Sequence, residues 1–128
     1  MTKFIVDSFA WIEDLLGTER GNYVKKIIED KNNEIFTHIL SISELVSRFS
    51  RLDIRYSETI NNILSNSTII NININLCIKA GEVHAQIRKK LRDFGLVDAF
   101  ILTVAKDMKL KILTGDQHFK NFKEAIII

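Results

Sequence analysis

Asp7, Glu44, Asp98 and Asp116 each stand where an apolar run ends or an amphipathic helix begins. Asp7 closes Lys3-Phe4-Ile5-Val6, a run of the kind that makes a buried strand, and Asp116 follows Leu110-Lys111-Ile112-Leu113-Thr114-Gly115. If the two runs are parallel neighbours in an open α/β sheet, their carboxyl ends border the crevice where such sheets seat ligands. Carboxylates gathered there repel one another and stay ionised together only around a positive charge, most simply a hard divalent cation held by oxygen. One or two Mg²⁺ or Mn²⁺ ions so held would suit phosphodiester hydrolysis, which needs a nucleophilic water near neutral pH and neutralisation of phosphate charge.

Each acid also has an ordinary structural explanation. Asp7 and Asp116 are residues that strand-end turns use, and Asp98 suits a first helical turn, where the dipole favours a carboxylate. Ser41-Ile42-Ser43-Glu44 matches the capping box Ser-x-x-Glu, in which Ser41 caps a helix and Glu44 reaches back to its amide. It is their joint placement that points to a site. His118 sits in a polar loop where a structural role is the simpler reading, and His38 and His84 have no Cys or His partner at metal-ligand spacing. Phe9 and Trp11 offer aromatic faces for a base, yet at i, i+2 on an early helix core or interface packing suits them better.

Strands and helices must alternate to place these residues. Ser8 can cap a helix running to about Leu16, which Gly17 stops, and a second helix is expected from Glu19 to Asp30. Glu34 to Ile39 reads as a strand. Ser41 to about Leu52 follows as a helix with Ile42, Leu45, Val46 and Phe49 on one face, then another from Ser57 to Leu64. Thr68 to Asn75 alternates Ile70, Ile72 and Ile74 with asparagines, the pattern of an edge strand with one wetter face. A helix from Leu76 to Arg92 buries Leu76, Ala80, Val83, Ile87 and Leu91; Gly95 ends that segment, Asp98 enters the next helix, and Ala125 to Ile128 is a last strand.

The 128 residues, 46% of them hydrophobic, suit a single domain over 1–128 with one core. No apolar stretch reaches the roughly 18 to 20 residues of a membrane span, and neither signal peptide nor anchor is visible, so a cytoplasmic location is expected. Cys77, the one cysteine, lies between Leu76 and Ile78 and is expected to be a buried thiol in a reducing compartment. Setting the four acids aside leaves 12 acidic residues against 18 Lys and Arg, a remainder of about +6 compatible with a polyanionic partner. The basic residues gather at Lys25-Lys26, at Arg48, Arg51 and Arg55, and at Arg88-Lys89-Lys90 with Arg92, groups that solvated helix faces also carry.

The chain resembles the PIN domains, and within them the VapC-like toxin ribonucleases. Phe4-Ile5-Val6-Asp7-Ser8 resembles the first motif, Ser41-Ile42-Ser43-Glu44-Leu45 the second, and Gly95-Leu96-Val97-Asp98-Ala99-Phe100-Ile101-Leu102 with Leu113-Thr114-Gly115-Asp116-Gln117-His118-Phe119 the third and fourth. Order and separations match across essentially the whole chain. The resemblance implies a three-layer α/β/α fold with a mainly parallel sheet and a metal-dependent ribonuclease site. It makes Asp7, Glu44, Asp98 and Asp116 the acidic quartet, with Ser8 and Thr114 as hydroxyl residues beside it. Asp7 and Asp98 are then assigned as direct ligands, Asp116 as ligand of a second ion or through water, and Glu44 as ligand or water-orienting base. His118 stands where some members carry a further acid. Partners implied are RNA, a small antitoxin protein and a second copy of the chain, with the apolar first helix around Trp11 as dimer contact.

Other classes fit less well. A phosphoacceptor signalling domain would carry adjacent acids after its first strand, where this chain has Asp7-Ser8, and an Asp-x-Asp phosphatase fails because the pair is Asp7 and Phe9. A non-catalytic PIN-like module that only binds RNA or protein has no need of all four acids.

Overall fold

Phe4, Ile5 and Val6 send side chains to alternate faces of a sheet, and both faces are covered. The computed structural model describes residues 1–128 as β1 (Thr2–Val6), α1 (Ser8–Leu16), α2 (Glu19–Glu29), β2 (Asn33–His38), α3 (Ile39–Arg51), α4 (Ser57–Asn66), β3 (Thr68–Ile70), α5 (Ile74–Arg88), α6 (Leu96–Met108), β4 (Lys111–Thr114) and β5 (Ala125–Ile127). The strands form one sheet in the order β3-β2-β1-β4-β5, and every pairing is parallel. Phe4, Val6, Ile35 and Leu113 pack against Trp11, Val24, Leu45, Phe49 and Ile63 on one side. Ile5, Phe36 and Ile112 pack against α6 on the other, through Ile101, Leu102 and Ala105, with Val83 and Ile87 of α5 behind them. This is the expected α/β/α sandwich, and no helix is long and apolar enough to cross a membrane.

From β1 the chain winds outward through β2 to β3, then returns to β4 on the other side of β1 and continues to β5. The order therefore reverses between β1 and β4, where Val6 pairs with Leu113. A crevice opens above such a reversal because the segments following the two strands, α1 and the turn at Gln117–Phe119, pack on opposite faces. Asp7 and Asp116 stand there.

Several local expectations are corrected. The strand expected to run to Asn75 stops at Ile70, because its only partner, β2, turns into α3 after His38, and Asn73 caps α5 by accepting from the Leu76 N–H at 2.8 Å. Helix α3 begins at Ile39, with His38 as its cap through Nδ1, so Ser41 caps nothing and its buried hydroxyl has no partner. Asp7, rather than Ser8, caps α1 by accepting from the Ala10 N–H at 3.1 Å. Cys77 is exposed, not buried, because the inner stripe of α5 is Leu76, Ala80, Val83 and Ile87 and Cys77 turns away from it. Trp11 is wholly buried, its indole N–H donating to Thr37 Oγ1 at 3.2 Å, so it offers no surface for a base or a dimer. On α1 only Leu15 and Leu16 remain exposed large apolar side chains.

Candidate active site

Four acids reach one crevice from four different elements. Asp7 leaves the end of β1 and caps α1, Glu44 comes from the second turn of α3, Asp98 from the first turn of α6, and Asp116 from the turn after β4. Asp7 is buried and fixed at both oxygens, Oδ1 by the Ala10 amide and Oδ2 by the Thr114 hydroxyl. Thr114 Oγ1 in turn accepts from the Asp116 N–H at 2.9 Å, which ties the ends of β1 and β4 together. Ser8 Oγ donates to Glu44 Oε1 at 3.4 Å, a long bond that links α1 to α3. Asp98 Oδ2 accepts from the Gly95 N–H at 3.1 Å, so this acid closes the start of α6 as well as facing the crevice.

The electrostatics record the crowding. Burial pushes the Asp7 carboxyl up to about 7; the bonds from Thr114 and Ala10 oppose this, and the charges of Asp116 and Glu44 add to it. Glu44, an exposed residue, is also raised, first by desolvation among its neighbours and then by repulsion from Asp98. Asp98 is raised by burial and by Asp116, against the pull of the Gly95 amide, His118 and His84. Each acid thus feels at least one of the others, which is the situation a divalent cation relieves.

Ligand atoms of Asp98, Asp116 and His118 lie within 4.8 Å of one another. The two carboxylates are oxygen donors of the kind Mg²⁺ or Mn²⁺ takes, whereas imidazole is a donor that softer transition metals favour, so it is the carboxylates that fit a hard ion at this point. The inclusion of His118 departs from the sequence reading, which left it structural. Its backbone N–H donates to Asp116 Oδ1 at 2.9 Å, and its Nδ1 comes to 2.9 Å of the same oxygen without alignment for a hydrogen bond. The spacing Asp116-x-His118 was the available signal, since a turn that bonds an Asp to the amide two residues on places both side chains together. Gly115 is required here because a Cβ would meet the Phe9 ring at 2.1 Å, and that close approach seats the Asp116 turn against α1. His38 and His84 stay outside the site: His38 is buried as a helix cap and held below its ordinary pKa by burial, and His84 Nε2 bonds Phe94 O at 3.0 Å.

Residues 4–125 match the PIN domain family. No curated protein matches the chain in sequence. Among solved structures, VapBC2 from Rickettsia felis bound to a DNA fragment from its promoter superposes with a TM-score of 0.72 at 17% identity, covering 99% of this chain and 98% of that one. DNA-bound VapBC from Salmonella typhimurium gives 0.71 at 16% identity over 100% and 98%. VapC20 from Mycobacterium tuberculosis, a sarcin-ricin loop cleaving toxin, gives 0.69 at 17% over 91% and 92%. At these identities the likeness is one of fold. Matched over nearly its whole length, and with its acids brought to the crevice between β1 and β4, the chain belongs to the PIN domain family.

Proposed function

We propose that this PIN domain is a Mg²⁺- or Mn²⁺-dependent endoribonuclease and the toxin of a type II toxin-antitoxin pair. The observation that carries the reading is the convergence of Asp7, Glu44, Asp98 and Asp116, three of them with carboxyls raised by burial and by one another. Asp98, Asp116 and His118 would hold the ion, with Asp7 as a further ligand. When bound, the ion would make a coordinated water more acidic and offset charge on the phosphate. Glu44, whose carboxylate accepts from Ser8, would orient that water and take its proton. Thr114 fixes Asp7 and the Asp116 turn, and Ser8 fixes Glu44.

Glu44 separates catalysis from capping. Because His38 caps α3, Glu44→Gln removes no bond from the start of that helix, and the amide oxygen still accepts from Ser8. The expected outcome is a 10- to 100-fold slower cleavage, the scale of losing a group that orients a metal site, with a melting temperature near wild type. Near-wild-type cleavage at limiting Mg²⁺ returns Glu44 to a structural role.

RNA as substrate draws support from the sarcin-ricin loop cleaving toxin that shares the fold, and an antitoxin from the VapBC assemblies that share it. The proposal includes action in the cytoplasm and a homodimer, whose contact must lie elsewhere than the buried Trp11. Sedimentation of the chain alone, and with the co-expressed product of an adjacent small gene, should show a dimer and then a stable, cleavage-inhibited complex. A monomer that binds no such product removes both partners and leaves the nuclease reading in place.

A further inference from the structure

Helix α3 starts beside the crevice and runs away from it, with Glu44 in its second turn and Arg48 and Arg51 one and two turns further on. At 3.6 residues per turn the three lie within an arc of roughly 60°, the arginines about 6 and about 10 Å along the axis from Glu44. Leu45 and Phe49 occupy the buried side of the helix. Both arginines are exposed, neither takes part in an ion pair, and with Leu52 they line a concavity of about 280 Å³. Arg51 Nε donates to Ser47 O at 3.3 Å, which draws its side chain back over the preceding turn toward Arg48.

These charges follow Glu44 along one face of α3. A polyanion approaching four carboxylates is repelled unless positive groups lie beside them, and guanidinium forks match phosphate oxygens better than ammonium groups do. One fork per helical turn suits a repeating anion. Leu52, 58% exposed, adds apolar surface against which a sugar or base can rest, and the concavity has no aromatic lining that would select a base by stacking.

We propose that Arg48 and Arg51 form a backbone subsite that holds phosphodiesters of single-stranded RNA beside the cleaved bond and leads the strand away from the crevice along α3. The proposal rests on the nuclease reading and specifies where its substrate runs. The subsite recognises phosphate and leaves sequence selection to other contacts.

The test is the double variant R48Q/R51Q, with Arg48→Lys and Arg51→Lys beside it. For long RNA at saturating Mn²⁺, KM should rise about tenfold with kcat little changed, and lysine should restore part of the loss. A minimal oligonucleotide too short to reach either arginine should be cleaved as by wild type. RNA binding should lose salt dependence, the slope of log K against log salt falling by about 1.4 for two contacts to a single strand. That slope is measured on Asp98→Asn protein in chelator, so it does not depend on turnover. Arg-dependent binding without cleavage by wild type leaves the subsite and removes the nuclease reading; cleavage with Arg-independent binding removes the subsite and leaves the nuclease. Equal loss on minimal and long substrates, or binding of poly-glutamate in preference to RNA, also overturns the proposal.

Discussion

Asp98→Asn is expected to lower RNA cleavage by roughly 10²- to 10³-fold, the scale of removing one preorganised electrostatic element from an active site, without loss of folding. The residue has two roles that this substitution separates. Its Oδ2 accepts from the Gly95 N–H and closes the start of α6, a bond the carbonyl oxygen of Asn can keep. Its charge faces Asp116 and His118, and Asn removes that charge along with the cost of burying it. The metal-free variant should therefore melt at or above the wild-type temperature while needing far more Mn²⁺ for any residual activity. Wild-type cleavage by a folded Asp98→Asn protein would make Asp98 a helix cap and nothing more.

Without metal, the contribution of Asp7 to stability should fall as pH rises from about 4 to about 7. In the unfolded chain Asp7 ionises near 3.8, and in the fold at about 7, so through that interval the folded state holds a proton that the unfolded state has lost. The stabilisation is complete below 3.8 and gone above 7. A rise of about three units corresponds to an upper limit of about 4 kcal/mol, at 1.36 kcal/mol per unit. The raised carboxyls of Glu44 and Asp98 act in the same direction. Asp7→Asn should flatten the dependence, since its oxygen still accepts from the Ala10 amide and its NH₂ can donate to Thr114 Oγ1. Added Mn²⁺ should raise the melting temperature most at the alkaline end, where the carboxylates are ionised and repelling. Melting curves from pH 4 to 8 in chelator and in Mn²⁺ measure both effects. Identical profiles for wild type and Asp7→Asn would show that Asp7 is not the buried acid described.

The fold was legible because its strands and helices carry unmixed signals. Phe4-Ile5-Val6 and Ile112-Leu113 are apolar on both faces, as central parallel strands must be, and α3 shows its buried stripe in Leu45 and Phe49. What misled was chemistry shared by two structures. Ile70 to Ile74 alternates like a strand, but an edge strand lasts only as long as its partner, and the end of β2 is a tertiary fact. His38 as the cap of α3 was hidden because imidazole is an uncommon capping group, whereas Ser41 and Glu44 presented the familiar pattern. Trp11 has the sequence of a surface anchor and the environment of a core residue, since its partner Thr37 lies 26 positions away. The four acids were found from their placement at element ends. His118 was passed over because it has no Cys or His partner nearby, and its place two residues after Asp116 was the one signal it offered.

Cleavage of a defined RNA by the purified chain, followed as Mn²⁺ or Mg²⁺ is added, chelated and restored, tests the central claim most directly. The account predicts no cleavage in chelator, internal scission of the RNA once the ion is present, and full recovery on restoring it. Scission that persists undiminished in chelator, or its absence at every ion concentration from a folded protein, would contradict it.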